Sequence, residues 1–373
     1  MNEPHPLALF RRYPGLAERL PWCGLGRWPT PLESIDISGP GTGCRQLSVK
    51  RDDLSGEVYG GNKVRKLEFL LAEALDRECR GVITFGAAGS NHALATSIYA
   101  RALGMDSYSV LTRQAVTSAA RRNLLTGHHV GARLMGFDSE ADAAATAQRL
   151  LQESGGELML IPGGGSSASG CLGFVSAALE LADQLDADGR DAPDLIYLPL
   201  GTTGTVVGLQ LGLRLAGLPS RVVAVRVVRE DVADPGRQRR LYQGAAELLA
   251  PDVEQIAELP PVHESLEVRH EFYGPGYARY TREGMAACER AREMADIKLE
   301  GTYSGKAFAA LLADLDSGRL AGMNVLFWNT YSSRALPVPA TDYRVLPEFF
   351  HSFFEGELQA LDPESGAAGN STA

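Results

Sequence analysis

Lysine is scarce in this chain. Only Lys50, Lys63, Lys66, Lys298 and Lys306 occur, against 31 arginines. Two of the five stand three residues apart in GGNKVRKLEFLLAEAL, residues 60–75. Arginine stays charged and is a poor nucleophile, whereas a lysine amine can lose its proton and form a Schiff base with a carbonyl. The plainer account makes both ordinary helix-surface residues in an arginine-biased chain. Three stretches rich in glycine and hydroxyls bear on the choice: GAAGSNH (86–92), GGGSSASG (163–170) and GTTGT (201–205). The last follows an apolar run and opens a helical pattern. The N–H groups and hydroxyls of Gly201, Thr202, Thr203, Gly204 and Thr205 could therefore face an anion at a helix N-terminus. The stretch lacks the Walker lysine and the GxGxxG spacing, so no nucleotide fold is indicated. The seven histidines form no HExxH or HxxxH, and no metal site is expected.

Regular elements must position these groups. Residues 1–60 read as irregular, with RQLSVKRDD as one strand. Asn62 is expected to cap a helix running through Val64 to Leu75. Strands GVITFGA, SYSVLTR, ARLMGF, ELMLIP, DLIYLPL and RVVAVRVV then alternate with helices. The helices are a segment closing at Gly104, TSAARRNLLTG closed by Gly127, 139–154, 171–186 and 206–216. Continuous apolar strands alternating with helices imply a parallel sheet covered on both faces. Ligands of such sheets lie beyond the C-terminal strand ends, where the three small-residue stretches fall.

The bulk composition excludes several classes. The chain has 373 residues, 45% hydrophobic and 22% charged, with net charge −10. That length suits two domains or one large α/β unit. An acidic chain without basic blocks is not expected to bind nucleic acid. Five cysteines without a CxxC pair suit a reduced, cytoplasmic setting. No run of about 18 apolar residues and no signal-like start is present, so no membrane partner is expected. Residues 361–373 are small and polar and are expected to be a disordered tail.

A Schiff-base lysine, a hydroxyl-rich anion loop and a parallel α/β pattern together suggest pyridoxal 5'-phosphate (PLP). GGNKVRKLEFL resembles the cofactor-lysine segment of the D-cysteine desulfhydrase and 1-aminocyclopropane-1-carboxylate (ACC) deaminase family, PLP enzymes of the tryptophan-synthase-β-like fold (fold type II). GAAGSNHA, GTTGT, YGPGY and TYSGKA resemble further segments of that family, in order. The resemblance implies two parallel-sheet domains: a larger PLP-binding one from 1–65 and 172–360, and a smaller one from 66–171. It implies that Lys63 holds the cofactor as a Schiff base and moves the Cα proton, and that Lys66 lies near the phosphate. It gives Asn91 the phenolic oxygen of the ring, and 201–205 the phosphate. Ser90, Asn91 and His92 take the substrate carboxylate. Tyr277 and Tyr303 border the substrate, with Ser90, Tyr277 and Tyr303 catalytic beside Lys63. Ser304 and Thr330 face the pyridine nitrogen, although Ser304 also reads as a helix N-cap. A homodimer acting on a small amino acid is expected.

Within the resemblance, the deaminases carry Glu at the position of Ser304 and Leu at that of Thr330, while the desulfhydrases carry small hydroxyl residues. A hydroxyl can leave the ring nitrogen neutral, and a weaker electron sink suffices to expel a thiolate. The expected activity is therefore elimination from a D-amino acid, D-cysteine to pyruvate, sulfide and ammonia. The alternatives are ACC ring opening, β-replacement, or a PLP-fold protein that only binds. The chain departs from the family at FWNTYSSRAL. Tyr331 stands where glycine is usual, and is expected to crowd the site.

Overall fold

The computed structural model describes residues 5–36, 43–259, 266–337 and 339–365. Among the described residues, ten strands form two sheets. The first six in chain order are β1 (Leu32–Ile35), β2 (Gln46–Lys50), β3 (Gly81–Ala87), β4 (Asp106–Thr112), β5 (Arg133–Phe137) and β6 (Leu158–Ile161). They are followed by β7 (Leu195–Leu200), β8 (Arg221–Arg226), β9 (Leu266–Arg269) and β10 (Asn324–Trp328). A six-stranded sheet has the order β1-β2-β10-β7-β8-β9, and a four-stranded sheet the order β5-β4-β3-β6. Every pairing is parallel except β1 with β2.

Helices cover both sheets: α1 (Ala8–Arg12), α2 (Gly15–Arg19), α3 (Asn62–Asp76), α4 (Asn91–Ala102), α5 (Ser118–His129) and α6 (Glu140–Glu153). The later ones are α7 (Ala168–Ala187), α8 (Gly204–Leu215), α9 (Pro235–Leu249), α10 (Arg282–Ala295), α11 (Ser304–Asp316) and α12 (His351–Glu355). Strand β7, LIYLPL, is buried at every position because α7 and α8 pack on one face and α11 on the other. That double cover is why the strand is continuously apolar rather than alternating.

Local expectations fail where tertiary contacts decide. Asn62 does not cap α3. Gly61, at φ +93°, is the N-cap, and Asn62 is the first helical residue. A side chain at Gly61 would meet the Thr330 carbonyl at 2.8 Å, so the close approach requires glycine. The Asn62 amide instead donates across to Thr205 Oγ1 at 3.0 Å. Gly127 does not close α5, which continues to His129 and stops before Gly131 at φ +89°.

The C-terminal segment also differs from expectation. Leu346, Phe350 and Phe353 pack with Ala88, Leu111, Leu124 and Leu134 of the four-stranded unit. Residues 361–365 are ordered: Asp362 is buried and accepts the Ser118 N–H at 2.9 Å, capping α5. Glu364 pairs with Arg122 at 2.5 Å. Residues 366–373 of the expected tail lie outside the described residues.

Candidate active site

The C-terminal ends of β3, β6, β7, β8 and β10 open onto one cavity of ≈ 640 Å³ between the two sheets. That falls within the about 300–1,000 Å³ range of small-molecule sites. Lys63, Lys66, Ser90, Asn91, His92, Gly201, Thr202, Thr203, Thr205, Tyr277, Tyr303 and Thr330 all line it. Gly204 and Ser304 do not.

The Lys63 amine has no hydrogen-bond or ion-pair partner among the described residues. Burial lowers its pKa to about 8, so a useful fraction is neutral and nucleophilic near pH 7. Lys66 is fully buried, and its amine donates to the Gly164 carbonyl at 3.1 Å. Burial first, and the Lys63 charge second, push its pKa well below the ordinary value. It too has no carboxylate partner among the described residues.

The 201–205 loop bends sharply into α8. Thr203, at φ +73°, is the N-cap, a left-handed conformation that costs a β-branched residue about 1–3 kcal/mol. Its hydroxyl is buried without a partner among the described residues. The loop interlocks with the one after β6. Ser166 Oγ lies 2.8 Å from Thr202 Oγ1 and accepts the Gly204 N–H at 3.2 Å. Gly164, at φ +68°, sits so close that a side chain there would strike Thr202. Two amines without a carboxylate partner among the described residues, an orphaned hydroxyl and a helix N-terminus make an anion site.

On the opposite wall, Ser90 caps α4, with Oγ accepting the Ala93 N–H at 3.2 Å. Asn91 Oδ1 accepts from Tyr59 at 3.3 Å and from Asn123 at 3.2 Å. Its Nδ2 is thereby left as a donor. Thr84 Oγ1 donates to the Ile161 carbonyl and lies 3.0 Å from His92 Nε2. Thr84 has one proton to give, so His92 Nε2 carries the hydrogen, and Nδ1 is buried without a hydrogen bond among the described residues. Burial, then Lys63 and Lys66, keep that ring neutral. The hydroxyls of Tyr277 and Tyr303 hydrogen-bond each other, their ring centroids 6.0 Å apart. Burial raises Tyr277 to about 12 and Tyr303 well above its ordinary value, so both stay protonated.

Ser304 is the exception among the expected site residues. It is fully buried, and its hydroxyl accepts the Glu300 N–H at 3.0 Å. The wall there is formed by Glu300, which sequence reasoning missed. The Glu300 carboxylate accepts the N–H groups of Thr302, Tyr303 and Ser304 at 2.7–3.0 Å. It thereby takes over the start of α11, where Ser304 was expected to serve as the cap. Tyr59, Gly163 and Gly164 are further wall residues. The glycines were visible as a post-strand loop, whereas Tyr59 carried no signal. Tyr331 also lines the cavity, its ring 5.6 Å from Lys298 Nζ.

PLP fits these groups. Lys63 would bond its aldehyde carbon, Lys66 and 201–205 would hold its phosphate, and the Asn91 Nδ2 donor suits its phenolic oxygen. Two largely parallel sheets, with a lysine of lowered pKa and an anion loop in the cleft between them, define a PLP-dependent enzyme. Residues 24–330 match the family model described as "Pyridoxal-phosphate dependent enzyme". The chain is 36% identical over 325 residues to a nocardicin C-9' epimerase of Nocardia uniformis subsp. tsuyamanensis, covering 84% of this chain and 94% of that one. It is 31% identical to a D-cysteine desulfhydrase of Klebsiella pneumoniae (strain 342), covering 85% and 96%. The crystal structure of an ACC deaminase homologue superposes with TM-score 0.73 at 32% identity, covering 88% and 95%. The chain belongs to the PLP-dependent enzymes, in the family of the D-cysteine desulfhydrases and ACC deaminases. No helix among the described residues is long and apolar enough to cross a membrane.

Proposed function

We propose that the protein eliminates a β-substituent and ammonia from a D-amino acid, with D-cysteine to pyruvate, sulfide and ammonia as the simplest case. The observation that carries this reading is the isolated Lys63 amine, its pKa lowered by burial to about 8, on the wall of an anion-binding cavity. PLP, when bound, supplies the electron sink that makes the Cα–H acidic. Lys63 removes that proton. The α4 N-terminus at Ser90 and Asn91 orients the substrate carboxylate. Tyr277 and Tyr303, both protonated, donate to the departing group. Thr330 would offer the ring nitrogen a hydroxyl, which can leave it neutral, while the Glu300 carboxylate is held by three amide N–H groups. Cleaving the activated Cα–H and a carbon–sulfur bond needs no stronger sink.

The 36% identity to an epimerase favours a second reading, in which the Cα proton is removed and returned on the other face. One panel separates the two. Purified protein is incubated in heavy water with D-cysteine, β-chloro-D-alanine, D-alanine and ACC. Pyruvate, 2-oxobutyrate and the configuration at Cα are then scored. Pyruvate from the first two, formed well ahead of 2-oxobutyrate from ACC, supports elimination. Inversion of D-alanine with no pyruvate from any compound would replace it with epimerisation.

A further inference from the structure

The groups assigned to cofactor and carboxylate account for only part of the cavity wall. A second lobe adjoins them, formed by Phe85, Val110, Ala143, Ala144, Val228 and Val232. Val228 belongs to an apolar cluster against which Val232, Tyr277 and Tyr303 all pack, so the lobe begins at the tyrosine pair. Phe85, Val110 and Ala143 continue it across the four-stranded unit. Its rim carries Arg113, Arg229 and Glu140. These charges are already matched. Arg113 pairs with Asp138, donates to Ser352 at 3.1 Å and stacks on Phe349 at 4.2 Å. Arg229 binds Asp231 through two donors, at 2.9 and 3.0 Å, and Glu140 at 3.0 Å through a third. What these residues offer a ligand is mainly apolar surface without free charge, beside the Thr112 and Gln114 side chains that also line the cavity. The thiol of D-cysteine would leave that surface wet.

We propose that the substrate is a D-cysteine thioether whose sulfur bears an uncharged alkyl or aryl group, seated in this lobe. This rests on the elimination reading above and names its substrate class. The Cα–H bond breaks with its proton passing to Lys63. The Cβ–S bond breaks with its electron pair leaving on sulfur, and the thiolate takes up a proton. The net change is thioether plus water to thiol, pyruvate and ammonium, with no oxidant or reductant. Burial of the apolar group supplies binding energy that a small substrate lacks.

Binding is read with D-amino acids that carry no leaving group. The PLP-loaded enzyme is titrated with D-alanine and with D-homophenylalanine, following the cofactor absorbance. Wild type should bind D-homophenylalanine at least about tenfold more tightly, since a buried aryl group far exceeds one methylene in transfer free energy. Ala144→Phe, at an exposed helix position, and Val232→Phe fill the lobe from different elements, and in each the ratio should fall to about one. Equal affinities in wild type, or a ratio unchanged in both variants, would overturn the proposal. Pyruvate from β-chloro-D-alanine is scored in parallel. A size preference that both variants abolish, with no pyruvate, would sink the elimination reading and leave the apolar lobe standing.

Discussion

Helix α3 places buried cations on two sides, and the two sides are treated in opposite ways. Arg65 binds Asp52 through two donors at 2.7 and 2.9 Å and Glu180 at 2.9 Å. Lys50 joins at 2.5 Å from Glu180. Two cations face two carboxylates, and the set is neutral. Desolvation would raise Glu180, but Arg65 and Lys50 hold it at about 2. Lys63 and Lys66, one residue to either side of Arg65 and its neighbour Val64, have no carboxylate partner among the described residues. The same helix thus carries a balanced network that fixes its position and an unbalanced pair that awaits an anion. A charge matched inside the fold serves as scaffold; a buried charge left unmatched marks a ligand.

Substitutions at the two sides should separate accordingly. Lys63→Ala should abolish the borohydride-reducible bond to PLP and lower turnover by about 10²–10⁴-fold, the usual worth of a positioned base. Retention of a reducible adduct on the same peptide would refute the assignment. Arg65→Met leaves a buried carboxylate uncompensated and should cost about 3–5 kcal/mol of stability, read from the urea midpoint. Lys66→Met should behave oppositely, leaving the cofactor-free protein at least as stable while weakening PLP retention by about 1.5–3 kcal/mol. Thr203→Val removes a hydroxyl with no internal partner, so it should weaken retention by about 1–3 kcal/mol without cost to the cofactor-free protein. An equal loss of stability in Lys66→Met and Arg65→Met would erase the distinction.

The smallest effect is in pH. Below about 8 the Lys63 amine is increasingly protonated, and the neutral form is the nucleophile. Covalent capture of PLP by the cofactor-free protein should rise about tenfold from pH 7 to 9 and then level. An unperturbed lysine would keep gaining about tenfold per unit over that range and beyond, and stopped-flow absorbance distinguishes the curves.

Strands covered on both faces were legible because continuous apolar runs have few other uses, as DLIYLPL and RVVAVRVV illustrate. The lysine and the glycine-hydroxyl loops were legible because their chemistry is local. The insertion of β10 between β2 and β7 was not, since sheet order is set by long-range packing that no window of sequence contains. Asn62 and Ser304 misled for different reasons: each is a good cap by type, but Asn62 is claimed by the distant Thr205, and Ser304 by Glu300 four residues before it, whose carboxylate takes the N–H groups at the start of α11. Tyr59 and Glu300 reach the cavity from segments whose local pattern is unremarkable.

The position of β10 also bears on how the chain is made. The six-stranded sheet has β2 and β7 flanking a gap until residues 324–328 are synthesised. The four-stranded unit likewise waits for Phe350 and Phe353 to cover Leu111 and Leu124. At about 5–20 residues per second, the roughly 200 residues between β5 and Phe353 take the ribosome about 10–40 s. During that interval both half-built sheets expose apolar faces and open edges. Neither unit can finish folding until those later segments have been made, and a nascent-chain holdase would find its binding sites on those two surfaces.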